Sequence, residues 1–193
     1  MRLFIGIELS DDLRRAAAAV SERTRSRMQR AAPNSIVRWV PGENLHITLW
    51  FLGEIQVSKR ERLLDAMREP LGSSPFTLRL GNAGAFPHSG APRTIWIGVT
   101  SGRDRLVSLH DCLGPRLTPL GFTAEKRAYS PHLTIGRVKD APPSDFTAIR
   151  RTLADPIDVG AECDIRNVTL FRSRTAPSGS QYEVLLRTPL AAD

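Results

Sequence analysis

The sequence predicts an α+β protein made of two similar lobes, and three observations support this class. The 193 residues are enough for one domain of ordinary size or two small lobes, and 41% of them are hydrophobic, so the chain can bury a sizeable core. Segments that alternate apolar and polar residues, as strands do, are interleaved with segments that carry a helical apolar stripe. The order strand, helix, strand, helix, strand occurs twice, in units of about 90 residues.

The chain begins with a predicted strand over residues 2–9, where apolar residues occupy every second position. Ser10 then predicts the N-cap of a helix, with Asp11 and Asp12 in the first turn, where negative charge suits the helix dipole. The next predicted elements are strands at 36–40 and 44–54, a helix at 58–68, and strands at 76–86 and 93–99.

The second half repeats this order. WIGVTSGRDRLVSL at residues 96–109 resembles FIGIELSDDLRRAA at residues 4–17: each has an aromatic residue, Ile-Gly, a β-branched residue, a polar cap and a helix. The remaining predicted elements are helices at 103–119 and 144–153 and strands at 130–138, 164–171 and 181–187. We therefore predict one bilobal domain over residues 1–193, with pseudo-repeats at about 1–92 and 93–193.

Composition narrows the class of protein. The net charge is +7, with 27 Lys and Arg against 20 Asp and Glu, and arginine supplies most of the excess. This weakly favours a polyanionic partner, although a genome rich in G and C produces the same bias without functional meaning. Cys112 and Cys163 match neither a disulfide framework nor a zinc site. No segment has the length of a signal peptide or a membrane span, so we expect a cytoplasmic protein with no membrane partner.

Two of the four histidines open the same tetrapeptide, HITL at residues 46–49 and HLTI at residues 132–135. Since residues i and i+2 of a strand share a face, each motif presents one imidazole beside one hydroxyl, His46 with Thr48 and His132 with Thr134. A single pair of this kind is usually solvated surface. The two copies, however, fall at equivalent places in the two halves of the chain, which favours a shared site.

Two lobes that face each other would bring these pairs together. Two imidazoles near neutral pKa can divide proton transfer between a base and an acid, and threonine hydroxyls can donate to phosphate oxygens. A phosphodiester held between them needs no metal, so we expect neither metal nor cofactor. A zinc site on His46 and His132 is disfavoured because no acid or cysteine lies at ligand spacing near either.

The segments NLHITLWFLGE and SPHLTIGR closely resemble the motifs of the 2H phosphoesterase superfamily, in its bacterial and archaeal branch of RNA 2′,3′-cyclic phosphodiesterases, long called 2′-5′ RNA ligases. The resemblance extends from FIGIEL to the late segment RSRTAPSGSQYEVL. It implies a bilobal α+β fold, with antiparallel sheets lining a central cleft and helices outside. It also implies metal-independent hydrolysis of a 2′,3′-cyclic phosphate to a 2′-phosphate.

The resemblance also implies roles for individual residues. His46 and His132 take the catalytic roles, with His132 favoured as base and His46 as acid. Phosphate contacts and base stacking fall to the residues that complete the two motifs: Thr48, Thr134 and Arg137 on phosphate, and Phe51 on a base.

Strand alternation qualifies two of these roles. Phe51 and Arg137 each lie five positions from their histidine, so an unbroken strand points them to the opposite face. Gly53 and Gly136 are candidate positions for a bulge or strand end that re-aims them. Trp50 shares the His46 face on an ideal strand, although core packing is the favoured interpretation for it.

We expect a monomer that acts on RNA or a nucleotide with a 2′,3′-cyclic phosphate terminus. Three alternatives share the same motifs. The first is a 2′-5′ RNA ligase acting on tRNA fragments, and the second is a non-catalytic module that binds an RNA terminus. The third is a phosphodiesterase that opens a cyclic nucleotide or an ADP-ribose cyclic phosphate.

Overall fold

A computed structural model describes residues 1–123, 125, 127–176 and 179–191. It contains four α-helices and ten strands among these residues, with short 3₁₀ turns between them. The helices are α1 (Asp11–Ala31), α2 (Val57–Ala66), α3 (Arg103–Leu117) and α4 (Phe146–Ala154). The strands are β1 (Arg2–Glu8), β2 (Ile36–Trp39), β3 (His46–Glu54), β4 (Leu71–Gly72), β5 (Phe76–Phe86), β6 (Thr94–Ser101), β7 (His132–Asp140), β8 (Asp158–Ile165), β9 (Asn167–Ala176) and β10 (Gly179–Ala191).

The ten strands form one sheet, in which the order is β4-β10-β9-β1-β3-β7-β6-β5-β8 and β2 also pairs with β7. Neighbours run antiparallel, apart from the short β4, which runs parallel to β10. The predicted α+β class is therefore confirmed. Strand order does not follow chain order, because β9 from late in the chain pairs with β1 and β5 pairs with the later β8.

Helix α1 forms as the sequence predicts. The Ser10 hydroxyl accepts a hydrogen bond from the Leu13 amide at 3.3 Å, which satisfies one of the free N–H groups of the first turn. The buried face is the predicted stripe, and the helix packs on β8 and α4 rather than on the strand it follows. Its buried residues are Leu13, Ala17, Val20, Ser21, Thr24 and Met28.

Helix α3 supplies the cover of the central strand β3. Leu106, Leu109, Leu113 and Leu117 form its apolar stripe, and all four are fully buried. The helix starts after Gly102, whose φ of 83° is in the left-handed region that glycine adopts without strain. Helix α1 thus packs on the edge strand β8, and α3 contacts β3 and β4.

The prediction of one strand over residues 164–171 is wrong. Two strands, β8 and β9, meet there and are separated at Arg166. Cys163 and Ile165 are buried on β8, whereas Val168 and Leu170 are buried on β9. The residues of the hydrophobic core thus change from odd to even numbers across Arg166, and this change of parity marks the break between the strands. Thr169 and Phe171, on the other face of β9, are buried as well.

Strands β3 and β7, which carry the two histidine motifs, meet at the centre of the sheet. Their ladder consists of the pair Ile47–Leu133, and both side chains are fully buried. Strand β2 then continues along the same edge of β7, where the Val40 amide donates to the Ile135 carbonyl at 2.9 Å. The motif strands are thereby fixed side by side in a single register.

Within the described residues, no helix has both the length and the apolar composition needed to cross a membrane.

Candidate active site

His46 lies at the start of β3, directly after a 3₁₀ turn formed by Gly42–Asn44. Its Nδ1 contacts the Asn44 carbonyl oxygen at 2.7 Å, and its Nε2 lies 3.1 Å from the Thr48 hydroxyl. Because a carbonyl can only accept, Nδ1 carries the hydrogen, and in the neutral ring Nε2 has the lone pair. The Asn44 side chain in turn donates to the Ser180 carbonyl at 2.6 Å and ties this turn to β10.

His132 repeats this arrangement at the start of β7. Its Nδ1 contacts the Ser130 carbonyl oxygen at 2.7 Å, again two residues before the histidine. Both rings are therefore held in the same tautomer by the backbone that leads into their strands. In both, Nε2 is the atom left to exchange a proton with a ligand.

The structure brings the two predicted pairs together. Ile47 and Leu133 are directly paired and point into the core, so the residues on either side of each point to the opposite face. His46 and Thr48 are on that face of β3, and His132 and Thr134 on that face of β7. All four side chains are only partly buried. They form one contiguous polar patch across the central seam of the sheet.

A bulge after the first motif re-aims Phe51. Strand β1 pairs Gly6 with Thr48 but Ile5 with Trp50, so Leu49 is an extra residue on β3. Phe51 is consequently paired with Phe4 and lies on the face of Phe4 and His46, where it is 59% exposed.

Gly6 accommodates this bulge. A Cβ atom at Gly6 would lie 2.7 Å from the Ile47 carbonyl oxygen, which is closer than side chains tolerate. The close approach of β1 to β3 at this point therefore requires glycine.

The same bulge moves Trp50 away from the site. Trp50 is paired with Ile5 on the core face and is 5% exposed. Its indole stacks on His110 of α3 with ring centroids 5.2 Å apart, and its Nε1 donates to the His110 carbonyl at 2.8 Å. The expectation that Trp50 shares the His46 face is wrong, and its interpretation as a packing residue is confirmed.

A matching bulge follows the second motif. Strand β6 pairs Trp96 with Thr134 but Ile95 with Gly136, so Ile135 is the extra residue. The next pair, Thr94 with Arg137, returns Arg137 to the face of His132. The two bulges occupy the same position, one residue after each threonine.

Both imidazoles have a pKa below the ordinary value for histidine. Burial is the main cause in each, because it disfavours the charged ring, and the positive charge of Arg137 lowers both further. The carbonyls of Asn44 and Ser130 oppose this, since a protonated ring is the stronger donor. An anion bound between the two rings would stabilise a positively charged imidazole and would therefore favour protonation of one of them.

Aromatic side chains that the sequence motifs do not indicate surround His46. Its ring centroid lies 4.7 Å from that of Phe4, 5.0 Å from that of Tyr182 and 5.9 Å from that of Phe171. These residues come from β1, β10 and β9, so strand order alone assembles them. Phe4 is recognisable in the sequence as the aromatic residue of the FIG segment, but the sequence does not indicate its contact with His46.

His132 has a different aromatic neighbour. Phe86 packs edge-on to its ring at 5.0 Å, and the same phenylalanine packs on Trp96 at 5.1 Å. Trp96 is half-buried on the site face, across from Thr134.

Tyr129 holds the first motif strand in place through contacts with Thr48 and His110. Its hydroxyl donates to the Thr48 carbonyl at 2.8 Å, which links the segment before His132 to the first motif strand. Its ring stacks on His110 with centroids 4.5 Å apart and an interplanar angle of 4°. Burial raises the pKa of Tyr129 well above its usual value, so the hydroxyl remains a donor at all physiological pH values.

The described residues contain no group of three or more His, Cys, Asp or Glu side chains with the geometry of a metal site.

Solved structures share this fold over almost their whole length. A protein of Thermus thermophilus superposes with a TM-score of 0.77 at 27% identity, with all of both chains covered. E. coli LigT complexed with 3′-AMP superposes with a TM-score of 0.74 at 27% identity, covering 98% of this chain and 97% of LigT.

Sequence relatives carry a consistent name. An RNA 2′,3′-cyclic phosphodiesterase of Archaeoglobus fulgidus is 33% identical over 185 residues, which cover 96% of this chain and 98% of the relative. One of Methanocaldococcus jannaschii is 33% identical over 190 residues with the same coverage. The model of the 2′-5′ RNA ligase superfamily matches residues 9–176. The resemblance carried by the two motifs is thus confirmed, and the chain belongs to the 2′-5′ RNA ligase superfamily.

Proposed function

We propose that this protein hydrolyses the 2′,3′-cyclic phosphate of an RNA or nucleotide terminus and leaves a 2′-phosphate, using His46 and His132 as its two proton-transfer groups. The observation that carries the proposal is the matched pair of histidines on one face of the seam, each with Nδ1 fixed on a backbone carbonyl. The names of the relatives supply the substrate class.

The reaction requires one neutral and one protonated imidazole. Nε2 of His132 takes a proton from water, and the oxygen of that water forms a bond to phosphorus. The bond from phosphorus to the 3′ oxygen breaks in line with the attack, and that oxygen receives the proton from Nε2 of His46. The assignment of base and acid follows the family resemblance, and the two roles exchange in the reverse direction.

Thr48 and Thr134 lie beside the histidines and donate to the non-bridging phosphate oxygens in this proposal. Arg137 adds a positive charge that grows in effect as negative charge develops on those oxygens. Its influence on the pKa of both histidines supports this position, because one guanidinium acts on both rings. Phe51 offers an exposed ring on the same face, on which a nucleobase stacks.

The test is a product assay on a short RNA that ends in a 2′,3′-cyclic phosphate, with separation of the 2′- and 3′-phosphate products. We expect turnover to the 2′-phosphate alone, at a rate that EDTA leaves unchanged. A 3′-phosphate product would contradict the proposed leaving group. A large loss of rate in EDTA would contradict the metal-independent mechanism.

The same assay separates the alternatives. A ligase joins two RNA fragments through a 2′-5′ linkage when a 5′-hydroxyl fragment is supplied, whereas a hydrolase gives the same product with or without it. A non-catalytic module binds the RNA terminus with strong salt dependence and produces no 2′-phosphate.

A further inference from the structure

We propose that Arg38 and Arg137 together form a second anion subsite, which binds the phosphodiester next to the reacting phosphate in an RNA chain. The subsite makes the protein favour an oligonucleotide over a mononucleotide. This inference rests on the proposed function, and it adds a substrate preference and a residue that neither the motifs nor the family name assigns.

The strand register places Arg38 on the site face. On β2, Arg38 is paired with Arg137 and Trp39 with Gly136. Directly paired residues share a face, so Arg38 lies on the face of Arg137. The neighbour Trp39 confirms this orientation, because its ring lies 3.4 Å from the position that a Cβ atom of Gly136 would take, on the opposite face.

The two arginines lie beside the histidines along one edge of β7. Strand β2 and the start of β3 follow each other along that edge, so the arginine pair comes directly after the seam at Ile47–Leu133. Arg137 is three positions from Thr134, about 10 Å along an extended strand. Long side chains at this distance reach the phosphodiester on the 5′ side of the terminal nucleotide, and Arg137 is also long enough to contact the reacting phosphate.

No acidic side chain in the described part of the chain forms an ion pair with either arginine. Like charges on directly paired residues destabilise a sheet. Elsewhere in the sheet an arginine lies across from a glutamate. Arg79 is paired with Glu162 and contacts it at 2.6 Å.

The positive charges of both arginines act on Tyr182, a neighbour of His46. Both Arg137 and Arg38 favour the ionised hydroxyl of Tyr182, although burial dominates and raises its pKa. The ring of Tyr182 packs edge-on to His46 at 5.0 Å. Arg38 and Arg137 are exposed on the site face, and their positive charge acts on a residue that contacts His46. Two adjacent guanidinium groups are suited to bind successive phosphates of a nucleic acid strand.

The experiment compares two substrates on the whole protein, a nucleoside 2′,3′-cyclic monophosphate and a trinucleotide that ends in a 2′,3′-cyclic phosphate. Wild type, Arg38→Gln and Arg23→Gln are measured on both. Arg23 is the matched control, since it is an exposed arginine on α1 and the same charge is lost far from the site face.

We expect Arg38→Gln to lower kcat/KM for the trinucleotide about tenfold more than for the mononucleotide, as a lost charged hydrogen bond to phosphate would. The salt slope of log kcat/KM on the trinucleotide should become shallower by about one phosphate contact. Arg23→Gln should change neither substrate's kcat/KM.

Equal effects of Arg38→Gln on both substrates would overturn the inference, as would an unchanged salt slope. Equal losses in Arg38→Gln and Arg23→Gln would also overturn it, because the effect would then be one of net charge. The proposed function fails separately, if wild type turns over neither substrate.

Discussion

The two motif strands, β3 and β7, have the same backbone arrangement but present different side chains to the site. Each presents a histidine tied to a carbonyl two residues earlier, then a threonine, then a bulge that returns the third residue after the threonine to the site face. On β3 that residue is Phe51, and on β7 it is Arg137. The comparison teaches that the backbone arrangement is repeated in the two strands, whereas the side chain three residues after the threonine differs.

The surroundings extend this asymmetry. His46 lies among three aromatic rings and contacts the Thr48 hydroxyl, whereas His132 packs against Phe86. An apolar environment favours the neutral ring, and the two environments differ in how strongly they do so. Two similar histidines can therefore hold different protonation states during one reaction.

The largest expected effect tests whether both strands contribute chemistry. His46→Ala and His132→Ala should each lower turnover of a cyclic phosphate by about 10²–10⁴-fold, because each removes one of the two proposed proton-transfer groups. The double variant should be little worse than either, as expected for groups that act as a unit. If either single variant retains more than about a tenth of wild-type activity, the two strands do not share the catalysis.

The next largest effect is expected from the positive charge of Arg137, which β7 carries and β3 lacks at the equivalent position. Arg137→Gln should lower kcat/KM by about 10–100-fold, because it removes the proposed charged hydrogen bond to phosphate. Arg137 also lowers the pKa of His46 and His132, although burial is the larger cause for both. Its removal raises both values, so the profile of kcat/KM against pH should move in the alkaline direction.

The wild-type profile gives the reference. The base must be neutral, so activity falls as the pH drops through its pKa, and the acid must be protonated, so activity falls again as the pH rises through its own. Since both values lie below 6.5 in the free protein, the maximum of kcat/KM should lie on the acid side of pH 6.5. An acid shift of the profile in Arg137→Gln would contradict the placement of its guanidinium.

Phe51 should have a smaller and different effect. Phe51→Ala removes an exposed ring proposed to stack on a base, and such stacking contributes about 1–3 kcal/mol per base. We expect kcat/KM to fall about tenfold, with the loss in KM rather than in the pH profile. Phe51→Tyr is the matched control and should retain most of the activity. A shifted profile in Phe51→Ala would mean that the ring sets the pKa of His46 instead.

The smallest expected effect concerns the support behind the site. Tyr129→Phe keeps the stack on His110 but removes the hydrogen bond to the Thr48 carbonyl. The free energy of unfolding should fall by about 1 kcal/mol, measured by urea denaturation, because a partly buried carbonyl loses its side-chain partner. A loss of activity without a loss of stability would assign Tyr129 a role in the reaction itself.

Alternation along the chain was sufficient to predict several features. It placed His46 beside Thr48 and His132 beside Thr134, because neither two-residue step crosses a bulge. The apolar stripe of α1 and its N-cap at Ser10 could also be predicted, because both depend only on residues close together in the sequence. Local patterns of this kind need no knowledge of the partner strand.

The bulges could not be predicted in this way. Leu49 and Ile135 are extra residues only relative to β1 and β6, whose registers are decided by contacts far along the chain. Ideal alternation therefore misplaced Trp50 and pointed Phe51 and Arg137 away from the site. The glycines considered as bulge positions lie near these irregularities, but the extra residue in each strand is an apolar one that is buried in the core.

The pair Ile47–Leu133 limits how this chain can change in length. Each of these residues stands between the histidine and the threonine of its motif, and each also closes the core at the seam. Inserting or deleting one residue in either tetrapeptide would exchange core and solvent faces and would separate the reactive groups at the same time. Changes of loop length elsewhere carry no such double penalty, so diversity in substrate should arise in the loops around the two histidines while the two tetrapeptides keep a fixed spacing.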